Sequence, residues 1–141
     1  MAETTSKLFH ALRGVESGKE LLGRLQSSPE CAQMLSELLK SSGVSAAEWI
    51  AAADVSKSYG YQILRGERLP GRDILLRTAL TLHLTLKETQ RLLAVGGCAS
   101  LYPRVRRDAA VIFALNRRMT LMEAEDLLAS LPERSLYALE H

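Results

Sequence analysis

The sequence predicts an all-α chain, and three observations carry that expectation. Ser/Thr-x-x-Glu motifs recur at Ser17, Ser45, Thr85 and Thr120, each with Glu three residues on; this is the capping box, in which two orphan backbone N–H groups at a helix start are satisfied. Apolar residues recur at three- and four-residue spacing around these motifs, as one buried helix face requires. A stretch of about two helices then repeats with an offset of 35 residues.

The elements follow in order. Within 1–28, Leu8, Phe9 and Leu12 make a short amphipathic segment, and the Ser17/Glu20 box opens a helix through Leu21, Leu22 and Leu25, so two extra N-terminal helices are expected. Ser28 with Pro29 at the first helical position opens the next helix, whose stripe of Cys31, Met34, Leu35, Leu38 and Leu39 ends before Gly43. Residues 45–70, SAAEWIAAADVSKSYGYQILRGERLP, then spell two short helices joined by a tight turn. The Ser45/Glu48 box starts the first at Ala46, with Val44 and Trp49 as its hydrophobic staple. Asp54 stands where the turn needs a residue tolerant of left-handed dihedrals. Ser56 caps the second helix, and Gly66 stops it.

On that second helix Val55, Tyr59, Gly60 and Ile63 share one side, and Lys57, Ser58, Tyr61, Gln62 and Arg65 share the other. A polar, basic face on an arbitrary helix is ordinarily just solvated. Here it belongs to the second helix of a helix-turn-helix, whose outer face enters the major groove; Gln can pair with adenine there and Lys can reach guanine.

Over about 31–97 the sequence resembles the phage-repressor, or Xre-like, helix-turn-helix family, with Ser45, Glu48, Ala53, Val55, Ser56, Ile63, Gly66 and Pro70 in register. The resemblance implies a lambda-repressor-like domain of five helices that binds double-stranded DNA. It places Lys57, Ser58 and Gln62 at base-reading positions, with Tyr61, Arg65 and Arg68 at backbone contacts and Arg72 near the backbone. It also implies a homodimer reading two half-sites; Leu127, Leu128 and Leu131, or Leu8, Phe9 and Leu12, are the apolar groups expected to pair. Asp54 stands in place of the family's turn glycine, and Gly60 in place of a β-branched residue.

Downstream, residues 72–94 align without gaps to 107–129. Identical pairs include Arg72/Arg107, Asp73/Asp108, Ala79/Ala114, Leu80/Leu115, Thr85/Thr120, Glu88/Glu123, Leu92/Leu127 and Leu93/Leu128. Each copy reads as helix, break, capping box and second helix. The expected organisation is an N-terminal extension (1–28), the helix-turn-helix domain (29–97), a C-terminal helical hairpin packed on it (98–138) and a tag remnant (139–141).

The net charge of +2 hides a segregation. Residues 57–118 carry 12 basic and 4 acidic side chains, a local +8, between acidic flanks. A block of that sign beginning at the outer-facing helix suits a phosphate partner. Basic surfaces also hold acidic proteins, so an adaptor that keeps this fold and binds an acidic protein through Tyr59 and Tyr61, or through 104–107, is the alternative.

No enzyme is expected, and neither a cofactor nor a metal. His10, His83 and His141 have no Cys, Ser or carboxylate at the spacing of a triad or a metal site, and there is no glycine-rich phosphate loop. Cys31 and Cys98 make no metal spacing and read as reduced thiols. The first residues lack a signal-peptide layout, and the longest apolar run, 109–115, is far below the ~18 residues of a membrane span; a cytoplasmic protein that does not engage a membrane is expected.

Overall fold

The structure, a computed structural model, describes residues 29–137. The helices expected within 1–28 and the tag remnant at 139–141 lie outside these residues. Among the described residues the chain is all-α: α1 (Pro29–Ser42), α2 (Ala46–Ala53), α3 (Lys57–Leu64), α4 (Arg72–Thr81), α5 (Leu86–Val95), α6 (Arg106–Asn116) and α7 (Leu121–Ser130). Five helices fall within 29–97 and two more follow. None is long and apolar enough to cross a membrane.

One connector is used four times. At Gly43, Asp54, His83 and Arg118 the backbone turns left-handed, with φ of 69°, 55°, 52° and 52°. The next residue is apolar (Val44, Val55, Leu84, Met119), and its N–H donates to a carbonyl five residues back, on Leu39, Ile50, Ala79 and Ala114 respectively. That is the Schellman closure of a helix end. The third residue is the next N-cap: Ser45, Ser56, Thr85 or Thr120. Three of the four caps are complete boxes with Glu48, Glu88 and Glu123. At the last of them, hydrogen bonds from the Thr120 backbone N–H and side chain hold the Glu123 carboxyl below its ordinary pKa.

Two apolar clusters result. Leu35, Leu39, Trp49, Ile50, Ala53 and Ile63 join α1, α2 and α3, with Val44 and Val55 against them. A larger cluster joins α4 to α7 through Leu75, Leu76, Leu80, Leu92, Leu93, Val111, Leu115, Leu128 and Leu136. Leu82 touches both. Trp49 ties α2 to α4 by donating its indole N–H to Thr78 Oγ1 at 2.8 Å. Cys31 is buried and Cys98 half-buried, and neither is in a disulfide; burial first, and the nearby Cys98 second, push the Cys31 thiol up to about 12.

The repeat is real in three dimensions and extends further than 72–94 and 107–129. Arg72 donates to the carbonyls of Ala99 and Ser100, and Arg107 donates to those of Arg134 and Ser135, 35 residues on. Gln90 binds the backbone of Leu101 at both its N–H and its C=O; its counterpart Glu125 accepts from the N–H of Leu136.

The two halves meet reciprocally. Arg72 forks onto Asp108 with both bonds at 3.0 Å, while Arg107 forks onto Asp73 at 3.0 and 3.1 Å. Likewise α4 packs on α7 as α6 packs on α5. A contact in which i meets j′ and j meets i′ is isologous, so the hairpins α4–α5 and α6–α7 are related by an approximate two-fold exchange.

Leu128 lies in the larger cluster, and Leu127 and Leu131 are partly buried against it. Leu128 is thereby taken up between the hairpins, while Leu127 and Leu131 keep part of their surface exposed. Leu8, Phe9 and Leu12 lie outside the described residues.

Candidate nucleic-acid interface

The α3 helix is short, and its placement rests on three local devices. Ser56 accepts from the N–H of Tyr59 and fixes the start. Gly60 lets α3 lie directly on α2, since a Cβ there would come within 2.5 Å of Ile50 Cγ1. After the helix ends, Gly66 turns at φ 78°, and the Tyr59 hydroxyl donates to the Leu69 carbonyl at 3.2 Å. The loop 65–70 is thereby held against the helix it follows. Gly60 thus replaces side-chain anchoring with close backbone approach, at a cost of about 1 kcal/mol in helix propensity.

The face turned away from α1 and α2 carries the residues singled out from sequence. Lys57 and Ser58 are exposed, and Tyr61 and Gln62 are half-buried. Tyr61 packs partly against the smaller cluster. The side chains of Lys57, Ser58, Gln62 and Arg68 make no hydrogen bond or ion pair with another described residue. Arg65 is exposed and bound to Glu67 at 2.9 Å; this bond lowers the Glu67 carboxyl and raises the Arg65 guanidinium. An anion at Arg65 would have to share the guanidinium with Glu67.

Arg72 is placed differently from its expected role. Its Nε, Nη1 and Nη2 all donate within the chain, to Ala99, Ser100 and Asp108. The physical reason is the reciprocal pairing of the hairpins, which absorbs the guanidinium fork.

The same pairing revises the basic block. Arg72 and Arg107 are neutralised by Asp108 and Asp73. Arg77 is buried, donating to the carbonyls of Ala53 and Leu136 and lying 4.9 Å from the Tyr137 ring centroid. The remaining nine basic side chains of 57–118 are all exposed, against Glu67 and Glu88. The surface charge bias therefore survives on nine of the same twelve residues.

Sequence reasoning missed Arg77, which ties the C-terminal end of α2 to the segment after α7. Nothing local marks it, because its partners are 24 and 59 residues away in the chain. The Arg72/Asp108 and Arg107/Asp73 pairs did have a signal, the repeated Arg-Asp dipeptide.

Compared with known proteins, the chain matches no family model, no curated protein and no solved structure.

Proposed function

We propose that the chain is a sequence-specific, double-stranded DNA-binding transcriptional regulator that lays the outer face of α3 in the major groove, as the lambda-repressor-like helix-turn-helix does. The observation that supports this reading best is that, among the described residues, the side chains of Lys57, Ser58 and Gln62 on that face have no hydrogen-bond or ion-pair partner. Arg72, Arg77, Arg107, Gln90 and Glu125 spend their polar atoms inside the molecule, whereas Lys57, Ser58 and Gln62 hold theirs out on a short, doubly anchored helix. Gln62 and Lys57 suit base edges. Arg68, and Arg65 once shared with Glu67, suit phosphates. Arg72 takes no part.

Each copy reads one half-site, and two copies occupy sites about one helical turn apart. Direct titration of random duplexes at several salt concentrations tests the reading. Binding should be tighter than about 10 micromolar at low salt and fall linearly in a log–log plot against salt. Arg68→Ala should flatten that slope by about one unit. A protein that shows no duplex binding at low salt is not this regulator.

A further inference from the structure

We infer that the outward face of α6 is a docking site for an acidic amphipathic helix of a partner protein. The approximate two-fold exchange gives every surface of the first hairpin a counterpart in the second. The outward face of α4 is covered by α2: Trp49 bonds Thr78, Ile74 packs into the smaller cluster, and Thr78 is left 1% exposed. Thirty-five residues on, the counterpart of Thr78 is Phe113, which is 42% exposed, and that of Ile74 is Ala109.

Among the described residues α6 packs against α4, α5 and α7, and the side that α2 takes on α4 is open. The neighbouring counterparts agree. Buried Pro70 corresponds to Val105, 47% exposed, and Tyr137, whose hydroxyl reaches the Ala52 carbonyl at the end of α2, corresponds to Tyr102, 55% exposed. Three of the five large exposed apolar side chains therefore fall on one face whose equivalent in the same molecule is occupied by a helix. Val105, Ala109 and Phe113 stand at i, i+4 and i+8, the spacing of one helical stripe.

The occupant follows from charge. Arg104, Arg106, Arg117 and Arg118 are all exposed, and Arg117 lies over the Phe113 ring at 4.6 Å. Between 103 and 120 the only carboxylate is Asp108, buried in its pair with Arg72; Glu133 reaches this end already bound to Arg106. A second copy of this face would bring arginines against arginines. Nucleic acid would neutralise the arginines but leave the apolar stripe unused. An amphipathic helix with acidic flanks satisfies both, in the helix-in-groove mode. The site is independent of what α3 binds.

Three synthetic helical peptides of about four turns, sharing one Leu/Trp stripe and carrying Glu, Gln or Lys on its flanks, test this against the full chain by fluorescence anisotropy. The Glu peptide should bind about tenfold or more tighter than the Gln peptide, and the Lys peptide weakest. Phe113→Asp and, separately, Val105→Asp should each weaken the Glu peptide about tenfold or more, with helicity and melting temperature retained. The proposal is overturned if the Lys peptide binds as well as the Glu peptide, or if both variants bind as wild type. It is equally overturned if the variants instead dissolve a dimer, making a second copy the occupant, or if they abolish duplex binding, making the face a nucleic-acid surface.

Discussion

Gly60 decides how the polar face of α3 is presented. Alanine there would recover about 1 kcal/mol of helix propensity, yet its Cβ would meet Ile50 Cγ1 at 2.5 Å and Cδ1 at 2.9 Å. Overpacking of this kind costs about 1–3 kcal/mol, so Gly60→Ala should be a net destabilisation, read as a lower denaturant midpoint with unchanged slope. A midpoint that rises would show that α2 and α3 are not held this closely. From sequence alone Gly60 reads only as a weak helix former that removes an anchor, because the close approach depends on Ile50, ten residues away in another helix. Ser56, Asp54 and Gly66 were legible, since caps and left-handed turn positions are set by residues within one turn.

At the scale of elements, the four shared connectors set where α1, α2, α4 and α6 end and where α2, α3, α5 and α7 begin. The capping boxes are visible in the sequence as Ser/Thr-x-x-Glu. The left-handed residue before them is visible at Gly43 and Asp54 but not at His83 or Arg118, where the residue type gives no hint and the turn is imposed by the packing of Leu84 and Met119 into the larger cluster. A left-handed non-glycine residue costs about 1–2 kcal/mol. Arg118 is exposed, so Arg118→Gly should relieve that strain and raise stability by up to about 1 kcal/mol, after the loss of chain entropy that glycine brings. A thermal melt that moves down instead would mean that the Arg118 side chain contributes more than its backbone costs.

At the scale of the whole molecule, the C-terminal hairpin shares one core with the last two helices of the first five, and the two reciprocal ion pairs lie in that joint. Arg107→Met leaves Asp73, 5% exposed, with Arg134 at 3.9 Å as its one remaining ion-pair partner among the described residues. Removing one partner of a buried pair costs about 3–5 kcal/mol, whereas replacing both can be neutral. Arg107→Met should therefore lower stability by that order, and Asp73→Leu in the same chain should restore most of it; a double variant no better than the single one would contradict the pairing. The repeat itself was readable from the identities at an offset of 35, but its reciprocal arrangement was not, because a repeated Arg-Asp dipeptide fits a translated stack as well as an exchanged pair. That is also why Arg72 reads from sequence as available for a phosphate.

The proposed function stands on whether α3 reads base edges, and Gln62 is the side chain that tests it most directly. On a duplex selected from random sequence by the wild-type chain, Gln62→Ala should weaken binding by about 1–3 kcal/mol, while affinity for unselected duplex stays nearly unchanged. Equal loss on both duplexes, or no loss on either, would contradict the placement of α3 in the major groove.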